Sequence, residues 1–365
     1  MNWFLIVFFI ISICAFLITH YYRLKQDAAL EHIETFETEI ALTPSEKLLQ
    51  YHGVKMNYLD VEQAKKLIVK NGEYLQGMNQ ANLTARDCLS IDDLYNKYRD
   101  AFDPITDTEQ KIVDAFILKL LENIKQYNIP YYNYVVHWLK IISIAKAKRW
   151  LESGMPHTLE TTIVMDANWF VNPRKTTFIH EITHVHQRQT PMDFEDLYPS
   201  LGYLYNPVDI KGLDAIYPLN RNNPDGMSKY WLWSRNGSDT YWWIGAIFKT
   251  AIPSSLSEVN LMALKLDKEP AETNNAKNNY IFYYLKQNPT PLSNLKEFIS
   301  FFGENPNNYH PNEMTAKFSE WYLMETLRSN QGDGDEGSNI YEYENYEGYR
   351  IYKKYFEKMI NTYYR

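Results

Sequence analysis

The stretch His180-Glu181-Ile182-Thr183-His184 constrains this chain more than any other five residues. On a helix, a separation of four leaves the two imidazoles only about 40° apart. With His180 as origin, Phe178, Ile182 and Val185 fall at roughly 140° to 200°, so the apolar back of such a helix lies opposite the histidines. One side of the helix must enter a core while the other opens on a cleft. His186 falls at about 240°, away from the pair, which suits a packed histidine.

Two neutral imidazoles on one side of a rigid element are what a zinc ion needs. Glu181, about 100° round from His180, stands beside such an ion and is free to act on its water. The chain has only two cysteines, Cys14 and Cys88, so it carries neither a disulfide framework nor a thiolate zinc site. Any Zn²⁺ is then held by histidine and carboxylate, a donor set that favours a catalytic over a structural site.

A length of 365 residues gives about two domains as a first expectation. Hydrophobic residues at 45% and charged ones at 22% exclude a largely disordered or collagenous chain. The net charge of −8 argues against nucleic acid as a partner, because phosphate binding needs a basic footprint. From Trp3 to Thr19 no residue is charged, and as a helix this run spans roughly 26 Å, enough for a short membrane anchor. Arg23 and Lys25 follow it, which places the large C-terminal part in the cytoplasm of a single-pass membrane protein.

Residues 26 to 80 are charged and helix-prone, with apolar positions too sparse for a large core. Thr106 and Glu109 make a capping box before a periodic run from Ile112 to Ile124, which predicts a helix over 107–126. The β-branched and aromatic stretch from Tyr134 to Ile142 suits a strand, as does Thr161 to Met165. Asn172-Pro173 opens the helix that carries the two histidines, and Pro191 closes it. Region 191–255 shows few clear periods, and helical character returns at 256–266, 278–287, 293–302, 312–328 and 345–360. Asp333, Asp335 and Glu344 match three positions of a calcium loop, but Gly337 and Ser338 stand where that loop wants a ligand and a glycine. That stretch reads as an acidic surface loop.

The run from Phe178 to Arg188 resembles the active-site helix of the zincin metallopeptidases. The metzincin branch is excluded, because Gln187 and Thr190 stand where it carries a glycine and a third histidine. The gluzincin branch takes its third ligand from a glutamate on a later helix. The segment from His310 to Ala316 resembles that helix: Pro311 suits its first turn, Glu313 would be the ligand, and Met314, Phe318 and Trp321 form a buried face. Glu258 and Asp214 are the alternatives.

The resemblance implies an α+β, mainly helical fold, with a small sheet packed on the active-site helix and Thr161 to Met165 holding an extended substrate at a sheet edge. The expected organisation is a transmembrane anchor at 1–22, a helical stalk or subdomain at 23–80 and a catalytic domain at 81–365. The implied function is a zinc endopeptidase acting on a peptide or protein substrate, with His180, His184 and Glu313 on the metal and Glu181 as base. His310 or Tyr309 would donate to the oxyanion. An inactive, membrane-tethered interaction module of the same fold is the alternative.

Overall fold

In the computed structural model of the chain, the described residues are 42–69, 72–206, 210–226, 230–235, 238–270, 280–284, 289–304, 308–328 and 343–365. The first sheet contains β1 (Asn57–Tyr58), β2 (Phe102–Asp103), β3 (Ser143–Ala147), β4 (His157–Leu159) and β5 (Thr162–Asp166), in the order β1-β3-β5-β4 with β2 also on β3. Strands β1, β3 and β5 run parallel, and β4 forms an antiparallel edge. Side chains alternate between two cores: Ile144, Ile163 and Met165 enter one, while Ala145, Ala147 and Val164 enter another with Leu75, Leu94, Tyr98 and Phe102. A sheet covered on both faces needs strands apolar on both sides, and Ile144-Ala145 and Ile163-Val164-Met165 supply them.

Much of the second core comes from the 61–102 segment, which covers the sheet's far face. Before it, helix α1 (Pro44–His52) starts at a capping box between Thr43 and Glu46 and buries Leu48 in the main core. The sequence from Pro44 onward therefore packs into the same body as the sheet.

Helix α2 (Asp107–Tyr127) forms where its capping box predicts and buries Val113, Ile117, Leu120, Leu121 and Ile124. The strand expected over Tyr134–Ile142 is instead helix α3 (Ile129–Leu139), and the strand begins only at Ser143. Asn128 caps α3 by accepting from the Tyr131 N–H, and Tyr131, Tyr134, Val135, Trp138 and Leu139 are buried at helical spacing. Burial of that face overrides the strand preference of its aromatic and β-branched residues.

The second sheet runs β10-β9-β8-β7-β6 and is antiparallel throughout, with β6 (Tyr203–Tyr205), β7 (Trp231–Trp233), β8 (Tyr241–Phe248), β9 (Val259–Pro270), β10 (Tyr280–Tyr283) and β11 (Thr290–Pro291), the last also on β9. It corrects the helical character expected at 256–266 and, in the described part, at 278–287. Leu264 and Leu266 are buried while Lys265 and Asp267 are exposed, a period of two imposed by pairing along β8.

The helices expected later in the chain are present as α4 (Lys175–Gln189), α5 (Lys296–Phe302), α6 (Pro311–Arg328) and α7 (Glu347–Tyr363). Met314, Phe318 and Trp321 of α6 are buried as their spacing predicts. The expected transmembrane helix, and with it the single-pass membrane placement, is corrected. Among the described residues no helix is long and apolar enough to cross a membrane, and the run at 1–22 lies outside them. The acidic residues Asp333 and Asp335 lie outside them as well.

Candidate metal centre

Helix α4 buries Phe178, Ile182 and Val185 completely, as its phase requires, and turns His180 and His184 towards α6 with ring centroids 4.7 Å apart. Glu313 sits in the first turn of α6. Its Oε2 lies 3.4 Å from His180 Nε2 and its Oε1 3.7 Å from His184 Nε2. One ligand atom from each of the three lies within 4.8 Å of the others, and all three side chains are buried. Such a group can hold a metal ion.

Hydrogen bonds outside the trio fix which nitrogen faces inward. His180 Nδ1 meets Glu320 Oε1 at 2.8 Å, and a carboxylate only accepts, so Nδ1 carries the proton. Gln187 donates from Nε2 to the Asn312 carbonyl at 2.9 Å and to Thr315 Oγ1 at 2.7 Å. Its Oε1 therefore faces His184 Nδ1, at 2.7 Å, and accepts from it. Both Nε2 atoms are left to the centre of the group, and that of His184 is buried with no hydrogen-bond partner among the described residues. A buried orphan acceptor of this kind is what a metal ligand becomes in the absence of its ion.

Electrostatics agree with the geometry. Burial works to lower the His180 pKa, but the carboxylates of Glu313 and Glu320 outweigh it and hold it well above the usual value. Burial pushes the Glu313 carboxyl up, but the neighbouring imidazoles hold it down at about 2. Burial dominates at His184 and keeps that imidazole neutral.

Glu181 lines the same cleft, of about 240 Å³, and its Oε2 accepts from Thr158 Oγ1 at 2.9 Å. Its pKa is pushed up to about 8, by burial first and then by the Asp225 carboxylate. Residues 221–225 line the same cleft. Asn223 Nδ2 donates to Glu313 Oε1 at 2.7 Å and also to the Tyr309 hydroxyl. Gly226 packs closely on His310: a Cβ there would lie 3.0 Å from His310 Cγ and crowd the imidazole.

Of the residues singled out in the sequence, His180, His184 and Glu313 converge and Glu181 shares their cleft. Glu258 accepts locally from the Ser254 N–H and Asp214 is exposed, so neither joins them. His186 is packed, its Nε2 on Asp193 at 2.9 Å and its Nδ1 near the Tyr134 hydroxyl at 3.1 Å. Tyr309 stands in the cleft wall, whereas His310 does not; its Nδ1 accepts from the Asn312 N–H, and burial lowers its pKa to about 3. The strand expected at the sheet edge is interior, flanked by β3 and β4.

Sequence reasoning missed Glu320, Gln187, Asn223 and Asp225. Glu320 had a signal, since it lies about two helical turns beyond Glu313 on the same face. Asn223 and Asp225 sit in a segment without periodicity and had none. Comparison with protein-family models, with curated proteins and with solved structures finds no match.

Proposed function

We propose that this chain is a zinc-dependent metallopeptidase with Glu181 as its general base. The observation that carries this reading is the convergence of three buried donor atoms within 4.8 Å, in a cleft whose wall also holds Glu181. Two imidazoles and one carboxylate are a catalytic zinc donor set with a fourth position left for water. Zinc, when bound, lowers the pKa of water to about 7 and polarises a carbonyl.

The remaining work falls to the chain. A bound cation would offset the burial that raises the Glu181 pKa to about 8, and Thr158 holds Oε2 at 2.9 Å, leaving Oε1 to take a proton from the attacking water and return it to the leaving amine. The Tyr309 hydroxyl accepts from Asn223 and keeps its own proton, which burial and the Glu313 charge make hard to lose. That proton is suited to the oxyanion that develops on the scissile carbonyl.

The test is a peptide-library cleavage assay on zinc-reconstituted wild type and Glu181→Gln, with zinc content measured in parallel. Both proteins should retain zinc and only the wild type should cut. Equal cleavage by the two would remove Glu181 as base, and no cleavage by zinc-loaded wild type would overturn the peptidase reading.

A further inference from the structure

The edge of β4 is already occupied. In this antiparallel pair His157, Thr158 and Leu159 face Val164, Ile163 and Thr162, and successive residues turn their main-chain groups to opposite sides. Thr158 is the residue that turns outward. Its N–H donates to the two Asp225 carboxylate oxygens at 3.2 and 3.3 Å, and its carbonyl accepts from Arg188 at 3.1 Å. Arg188 and Asp225 are themselves paired at 3.0 Å. An extended peptide that adds to a sheet edge needs those main-chain groups, and both are taken.

The segment carrying Asp225 is held at several points. The Asn222 N–H donates to Asn82 Oδ1 at 2.9 Å, and Arg86 donates to the Asn222 carbonyl at 3.1 Å. Arg188 donates to the Pro224 carbonyl at 2.6 Å, and Asn312 donates to the Asp225 carbonyl at 3.1 Å. The same segment brings Arg221 to the cleft wall. Arg86 is paired with Glu152 and Arg188 with Asp225, but Arg221 has no carboxylate partner among the described residues. Its guanidinium lies 5.6 Å from the centre of the Tyr309 ring and 3.5 Å from the Leu256 carbonyl.

We infer that the cleft takes a chain end, a short peptide whose C-terminal carboxylate seats on Arg221, rather than the middle of a long chain. This rests on the peptidase reading and departs from the endopeptidase expected of the sequence. The guanidinium fork matches a carboxylate, and a cleft of about 240 Å³ beside a capped edge suits a chain that stops there. An acidic side chain offers the same chemistry, but its main chain would continue along the closed edge.

The experiment uses three N-acetylated peptides of one sequence: the free acid, the C-terminal amide, and the amide with Asp as its last residue. Binding to zinc-loaded Glu181→Gln is measured by calorimetry and hydrolysis by the zinc-loaded wild type by kcat/KM. The free acid should bind and react about tenfold or more better than the plain amide. Arg221→Ala should erase that preference and Arg221→Lys keep part of it, with thermal melting confirming that both variants fold. Equal use of the free acid and the plain amide overturns the inference and leaves the peptidase reading standing. An Asp amide as good as the free acid overturns the chain-end assignment. Selective binding of the free acid without hydrolysis of any peptide sinks the peptidase reading and keeps the carboxylate seat.

Discussion

Glu320 Oε1 accepts the Nδ1–H of His180 at 2.8 Å, from the same helix whose first turn carries Glu313. One helix therefore supplies a candidate ligand and also orients a second ligand that belongs to another helix. Lys317 holds the other Glu320 oxygen at 2.7 Å. Glu320→Ala should lower zinc affinity about 10- to 100-fold while leaving the fold intact. Chelator competition measures this, and an unchanged affinity would show that Glu320 does not position His180.

The ligand set makes a sharper demand. His180→Ala and Glu313→Ala should abolish stoichiometric zinc, whereas Glu258→Ala and Asp214→Ala should bind it as wild type does. Elemental analysis of dialysed protein decides between them. Zinc at about 100 times its dissociation constant should also stabilise the wild type by about 2.7 kcal/mol, read from denaturant unfolding, and the His180 and Glu313 variants not at all.

Zinc binding should weaken as pH falls. In the metal-free protein the His180 pKa is held well above 6.5 by Glu313 and Glu320, against burial. A raised folded value means that the imidazolium's contribution to the metal-free fold is complete below 6.5 and is lost as pH rises through the folded value. The metal must displace that proton, so zinc binding at pH 7 to Glu181→Gln, which has no carboxyl at 181 to titrate alongside, should release about one proton. Calorimetry in buffers of different ionisation enthalpy counts it, and no release would mean that His180 is neutral before zinc arrives.

A second buried network governs stability. Glu152 has a φ of 44° and accepts from Arg86 Nη2 at 2.7 Å, from Tyr74 at 2.7 Å and from Tyr98. Arg86→Met leaves that charge buried and should cost about 3 to 5 kcal/mol at pH 7. Burial raises the Glu152 pKa, but Arg86 outweighs it and holds it at about 2, against an ordinary value of 4.5. A depressed folded value means the stabilisation is present above 4.5 and is lost as pH falls towards 2. The gap between wild type and Arg86→Met, followed by denaturant unfolding, should narrow over that interval. A gap independent of pH would mean that the pair is not its source.

What the sequence determined by itself is local. The phase of α4, with its two histidines opposite Phe178, Ile182 and Val185, follows from helical geometry, and so do the capping box that starts α2 and the buried face of α6. Each depends on residues a turn or two apart. The tertiary structure decided what depends on distant partners. Residues 129–139 became a helix and 259–270 a strand because burial and pairing along β8 outweigh local preference. Helix phase could aim His180 and His184 to one side, but only the packing of α4 on α6 selects Glu313 over Glu258 and Asp214. Asn223 and Asp225 lie in a segment with no period of its own, and they reach the cleft because Arg86, Arg188 and Asn312 hold its carbonyls there.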